Sequence, residues 1–300
     1  MSRPFLRARS LIGRVPRGHR PLATAGHLLR QAVGGSADAR AALERAQAVV
    51  APVPGGRRIV VAAGKDGAGR TTVAALLASA FASRRSDPVL AVDTHLAATS
   101  LTWRLGLDTT PVMRQLELYL LGSAGRDLSG VDAVLPRTST GVRLLSDARG
   151  SRPDLPRDFV RALSRLFAVT VVDTGPGIES PWTDNLLADA HGVVLVCPAT
   201  PEGVERTQES LRLLDESYGS VSPGGVTVVL NEAVPGSRLD RAAAREVLGA
   251  RDVPVLDLGH DRHLAAGGPI ALRAVGRRTL EQTLDIAGTA LRRATDPVSR

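Results

Sequence analysis

The sequence predicts an α/β protein: a three-layer α/β/α sandwich with a mostly parallel sheet, preceded by a basic N-terminal extension. Three observations predict it. Seven short runs rich in Val, Leu and Ile recur along the chain. Helical patterns lie between most of them. The runs are apolar at nearly every position rather than at every second one, as in strands covered on both faces. Strand and helix in alternation then imply a parallel sheet with helices on each side.

Taken in order, residues 1–22 read as an arginine-studded arm, and residues 23–50 as one or two short helices broken at Gly34-Gly35. APVPGG, residues 51–56, reads as a linker. The expected strands are Arg58–Ala62, Val89–Val92, Val142–Leu145, Val169–Val172, Val193–Val196, Val226–Leu230 and Val253–Leu256. The expected helices are Thr71–Arg84, Pro156–Phe167, Glu202–Glu216 and Leu239–Leu248, with a last one from about Gly276 to Arg293. That last helix carries Leu280, Leu284, Ala287 and Leu291 in a narrow stripe, which suits packing on a core better than anchoring in a membrane. Residues 108–140 show no regular pattern. The domain reading is a basic arm over 1–56, a folded body over 57–295 and a short tail over 296–300.

Composition narrows the classes. Hydrophobic residues make up 43% of the 300, enough for a core, but aromatics only 3%, so that core is aliphatic. One cysteine, Cys197, excludes an internal disulfide and fits a reducing cytoplasm. No run approaches the roughly 20 apolar residues of a membrane span. The net charge of +8 is unevenly placed: residues 1–60 hold eleven arginines against two acids, whereas the other 240 hold 27 basic and 28 acidic side chains. The basic arm can attract phosphates, anionic lipid at the inner face of a membrane, or an acidic partner. The near-neutral body argues against a nucleic-acid surface.

The chemistry concentrates after the first strand, in RIVVAAGKDGAGRTT. Gly64–Thr71 is G-x-x-x-x-G-R-T, one residue from the phosphate-loop pattern G-x-x-x-x-G-K-[ST]. Glycines there let backbone N–H groups curl around a phosphate. The following helix turns its positive dipole end toward the same anion. The pattern makes Gly64, Asp66, Gly67, Ala68, Gly69, Arg70, Thr71 and Thr72 the candidate nucleotide-binding residues. The Thr71 hydroxyl is a candidate Mg²⁺ ligand. Elsewhere, Cys197 reads as a buried apolar residue, and His260 and His263 form an H-x-x-H without further clustered ligands.

The loop resembles the deviant Walker A motif, K-G-G-x-G-K-T-[ST], of the MinD/ParA/nitrogenase-iron-protein family. Lys65 falls on that family's signature lysine, Gly67 and Gly69 on its glycines, and Thr71 and Thr72 on its hydroxyl pair. Lys65 is the only lysine in the chain; the other 37 basic residues are arginine. Downstream, VLAVDTH resembles the family's V-D-x-D segment, placing Asp93 and His95. VTVVDTGPG resembles its Walker B and second switch, with Asp173 expected to hold Mg²⁺ through water. VTVVLNEAV sets Asn231 where related proteins contact adenine. The N-terminal extension, AVDTHLAATSLTWRLG and DRHLAAGGPIALRAVGRRTL resemble MinD-like proteins that accompany type VII secretion.

The resemblance implies ATP and Mg²⁺ as ligands, a homodimer across which Lys65 reaches the partner's phosphates, and a switch that positions or regulates a secretion or cell-envelope apparatus. Two other readings stay open: a catalytically silent scaffold of the same fold, and a DNA- or membrane-associated positioning ATPase. Three departures bear on turnover. Arg70 replaces the phosphate-loop lysine with a bulkier planar group. His95 and Leu96 stand where the family has Asp-Pro, so Asp93 lacks the second acid that orients the attacking water. Asp66 adds a negative charge beside the phosphates.

Overall fold

In the computed structural model the described residues are 37–94, 101–107, 128–146, 157–175, 177–178, 180–218, 225–250 and 252–296. The expected break at Gly34-Gly35, His95 and Leu96 lie outside them. Seven strands form one sheet: β1 (Arg57–Ala62), β2 (Val89–Asp93), β3 (Val142–Ser146), β4 (Val169–Asp173), β5 (Gly192–Pro198), β6 (Gly225–Asn231) and β7 (Val255–Leu258). Their order is β3-β2-β4-β1-β5-β6-β7, and every pairing is parallel.

The helices are α1 (Ala37–Val50), α2 (Arg70–Arg84), α3 (Leu101–Arg104), α4 (Leu128–Val134), α5 (Arg157–Ser164) and α6 (Pro181–Ala188). They continue with α7 (Pro201–Tyr218), α8 (Arg241–Leu248), α9 (Arg262–Ala265) and α10 (Arg277–Thr295). Strand periodicity explains the two layers they make. In β1, Ile59 and Val61 join one apolar cluster while Val60 and Ala62 join the other. Successive side chains point to opposite faces, so a strand apolar at every position must be covered twice. One face is covered by α2 and α10, through Val73, Leu76, Leu77, Phe81, Ile286, Ala287 and Leu291. The other is covered by α4 to α8, through Val131, Val160, Leu163, Leu187, Leu214 and Leu248.

All seven expected runs became strands; β5 runs on two residues further to Pro198, and only the last strand starts late. The last begins at Val255, two residues after the expected start. Pro254 has no N–H to give a ladder, and its carbonyl instead accepts from Val228 N. Helix α8 begins after Asp240, whose side chain caps Ala242 and Ala243, rather than at Leu239. Helix α6 was not expected; Ser180 caps it at Thr183 N.

The end of the segment read as an arm is helix α1, seated on α10. Gly288 faces Ala48, where an added Cβ would lie 2.7 Å from the alanine methyl. Arg45 pairs with Asp285 at 2.9 Å, and Val49 is fully buried. Arg85 closes the joint by donating to the carbonyls of Val49 and Ala51. Among the described residues no helix is long and apolar enough to cross a membrane.

The sheet order sets the site. The chain runs from β1 outward through β2 and β3 on one side, and through β5, β6 and β7 on the other. Ligands of such sheets bind beyond the carboxyl ends of the strands, at the point where the order reverses. Here that point is the end of β1, and the loop Gly64–Gly69 leaves from it.

Candidate functional site

The loop between β1 and α2 is curled. Gly67 has φ 75° and Gly69 φ 91°, both in the left-handed region that favours glycine. Gly64 is a glycine for another reason: an added Cβ would lie 2.4 Å from Ser210 Oγ and 2.8 Å from the Arg206 carbonyl, so α7 closes against it. Asp66 sits on the exposed crown of the loop and Ala68 is buried beneath it. Helix α2 starts directly after Gly69 and has no side-chain cap. Its first N–H groups are therefore available to an anion, on the positive end of a 15-residue helix.

Two carboxylates stand beside this cradle. Asp93 and Asp173 end adjacent strands and are register partners. Asp93 Oδ2 accepts from the Thr102 amide and hydroxyl, both at 3.2 Å. Asp173 has no exposed surface, and its backbone carbonyl accepts from Thr94 N and Oγ1. Its Oδ1 faces Arg70 Nε at 3.3 Å, and its buried Oδ2 accepts no hydrogen bond. Burial pushes the Asp173 carboxyl up to about 7, against the pull of Arg70 and of the nearby Thr71 hydroxyl; Asp93 adds to the rise.

The remaining expected residues fall as follows. Lys65 is exposed and pairs in its own chain with Glu202 of α7 at 2.6 Å, which holds that carboxyl below its usual range. The Thr72 hydroxyl accepts from Arg104 at 2.9 Å. Asn231 ends β6 and donates to the Ala68 carbonyl, so its amide group braces the loop. Thus Gly64, Lys65, Gly67, Ala68, Gly69, Arg70, Thr71, Thr72, Asp93, Asp173 and Asn231 converge on one end of the sheet. His260 Nδ1 meets the Ala233 carbonyl, His263 Nε2 accepts from Ala271 N, and Cys197 is buried in β5.

Sequence reasoning missed Glu202, Thr102 and Arg104. Glu202 had a faint signal, an acid in the first turn of a helix that follows a central strand. Thr102 and Arg104 had none, because their partners are set by tertiary folding.

Two ligand groups can be tested against these residues. A chain of phosphates fits: the curl, the uncapped helix and a guanidinium meet at one place, and a Cβ at Gly67 would meet nothing within 4 Å. A hydrated divalent cation does not fit Asp173 as it stands. That carboxylate has no exposed surface, and one of its oxygens is taken by Arg70.

No protein-family model matches the chain. It is 29% identical over 249 residues to the ESX-1 secretion-associated protein EspI of Mycobacterium tuberculosis. That match covers 78% of this chain and 36% of EspI, so the chain spans about a third of that relative's length. It is 28% identical over 159 residues to an uncharacterized ATP-binding protein of Methanocaldococcus jannaschii, covering 52% of this chain and 57% of that one. Among solved structures, a ParA family ATPase from Chlorobium tepidum matches with a TM-score of 0.63 at 20% identity, over 77% of this chain and 98% of that one. The septum site-determining protein MinD of Pyrococcus horikoshii, in complex with Mg-ADP, gives 0.59 at 20% identity, over 77% and 94%. The chain has the fold of the MinD/ParA P-loop ATPases and is distantly homologous to EspI and to an ATP-binding protein.

Proposed function

We propose that this protein binds ATP in the loop Gly64–Thr72 and uses it to switch its own dimerisation, in the service of a secretion or cell-envelope apparatus. The observation that carries this reading is the loop itself: two left-handed glycines, then an uncapped helix whose first residue, Arg70, spends one N–H on a buried acid. Backbone N–H groups of the loop and of the first turn of α2 would hold the phosphates, with Arg70 supplying charge and the Thr71 and Thr72 hydroxyls close by. Asn231 keeps the loop in register with β6. Bound ATP supplies a terminal phosphate whose presence or loss distinguishes two states of the chain. The likeness to EspI supports the secretion context. The cytoplasm, with the basic arm at the inner face of the membrane, is the compartment this reading assigns.

Slow turnover is part of the proposal. Phosphoryl transfer depends on positioning and charge stabilisation more than on covalent chemistry. Arg70 in place of lysine and His95 in place of an acid disturb both. Each loss of about 1.4 kcal/mol of transition-state stabilisation slows the step about tenfold.

The test is calorimetric titration of the full chain with ATP and with ADP, joined to sedimentation velocity and a phosphate-release assay. ATP should bind and drive dimers, and Lys65→Ala should keep binding while losing the dimers. Absence of heat with either nucleotide would sink the reading. The Arg70–Asp173 pair also favours a second reading, a silent scaffold. A gain of turnover in the Arg70→Lys/His95→Asp double variant would mark a silenced ATPase. No binding in any form would leave the scaffold.

A further inference from the structure

We propose that the site takes its nucleotide without a divalent cation, the Arg70 guanidinium standing on Asp173 in the place a metal would need. The inference rests on the nucleotide reading above and concerns what neutralises the phosphates once they are bound.

Arg70 is the first residue of α2, so its backbone belongs to the cradle while its side chain runs down to the end of β4. Its Nε donates to Asp173 Oδ1 with only 10% of the side chain exposed. The two terminal nitrogens have no hydrogen-bond partner among the described residues. A guanidinium carries five N–H donors in a planar fork. One is spent on the carboxylate, and four remain for phosphate oxygens, which such forks bind in pairs.

Three further points close the metal position. Arginine stays protonated under all relevant conditions, so the tethered cation cannot step aside by losing its proton. A divalent cation brought to the same carboxylate would meet that like charge at contact distance. Asp173 is out of reach of solvent, whereas a water-bridged metal needs water at the carboxylate. The neighbouring acid, Asp93, is 2% exposed, and its Oδ2 is held by the Thr102 amide and hydroxyl.

The experiment is calorimetry of the full chain with ATP, once with excess EDTA and once with Mg²⁺, for wild type and Arg70→Ala. Wild-type affinities should agree within about threefold between the two buffers, and the Arg70→Ala variant should bind at least about tenfold more weakly in EDTA and be rescued by Mg²⁺. Wild-type binding about tenfold tighter with Mg²⁺ than in EDTA overturns this inference and leaves the nucleotide reading standing. No heat in either buffer overturns the nucleotide reading, and this inference with it. If Arg70→Ala does not fold, the wild-type pair of titrations decides alone.

Discussion

The side-chain amide of Asn231 donates a 2.7 Å hydrogen bond to the carbonyl of Ala68, tying the end of β6 to a loop 163 residues earlier. Both residues are buried, at 7% and 2% exposure, so water cannot replace the bond. Asn231→Ala leaves a buried carbonyl unpaired and should cost about 1–3 kcal/mol. Asn231→Asp should cost more, because a carboxylate would face that carbonyl with no proton to give. Urea denaturation of the two variants checks the order. Equal midpoints for Asp and Ala would contradict a donor role.

Gly69 makes the same contact from the other side. At φ 91° it lies where side chains are strained, and an added Cβ would fall 2.3 Å from Asn231 Nδ2. Gly69→Ala should therefore cost about 1–3 kcal/mol for the backbone alone, and more for the displaced amide. Gly67 shares the positive φ but has open space around it, so Gly67→Ala should cost less than Gly69→Ala. A thermal melt of both variants reads the ranking; the reverse order would show that the Asn231 contact is loose.

Lys65 is held in cis by Glu202, yet the proposed function needs it in trans. Both side chains are largely exposed, at 43% and 56%, so the pair is screened by water and salt. Glu202→Gln should leave the melting temperature unmoved and raise the ATP-dependent dimer fraction at fixed concentration. Sedimentation velocity with and without ATP measures it. A fall in the dimer fraction would mean that Glu202 guides Lys65 rather than detaining it.

His263 gives the C-terminal segment an acid-sensitive joint. Its Nε2 accepts from Ala271 N, which requires the neutral ring. Burial holds its pKa below the usual 6.5, with Asp261 pulling upward and Arg104 downward. A base with a depressed folded pKa binds fewer protons folded than unfolded. Its stabilising contribution is full above about 6.5 and is lost as pH falls through the folded value. Asparagine can accept the same bond without titrating. Wild type should therefore lose more stability than His263→Asn between pH 7 and pH 5. Parallel urea midpoints across that range would contradict the assignment.

These contacts mark what the sequence could and could not express. The strands were legible because Ile59 to Ala62, Val169 to Val172 and Val193 to Cys197 are buried on both faces, and that pattern is local. The loop was legible because its glycines answer a backbone demand at fixed spacing. Arg70 on Asp173 and Lys65 on Glu202 were not, since each joins residues more than 100 apart and depends on strand order. The start of β7 was misplaced because the proline before it gives no N–H to the ladder. The resemblance set Asn231 beside a base; that its amide nitrogen also holds the loop backbone was not legible, because the contact depends on where β6 lies in the sheet.

Arg104 offers the sharpest test of how the site is joined to the rest of the chain. It lies on α3, 6% exposed, and reaches three acceptors: the Gly268 carbonyl, the Leu264 carbonyl and the Thr72 hydroxyl. Its own carbonyl accepts from Ile270 N, and Trp103 beside it donates to the Gly267 carbonyl. One side chain thus clamps the phosphate-loop helix to residues 264–270. Among the described residues no carboxylate is a hydrogen-bond partner of it, and burial lowers its pKa to about 10, which still leaves it charged at neutral pH. Arg104→Ala removes the clamp, opens a cavity and strands buried acceptors, and should cost about 3–5 kcal/mol. Arg104→Met fills the space without a charge to desolvate and should cost less. In both variants amide exchange should rise at 264–276 and in the first turn of α2, with the sheet unaffected. Exchange confined to α3 would mean that Arg104 fills space there and couples nothing.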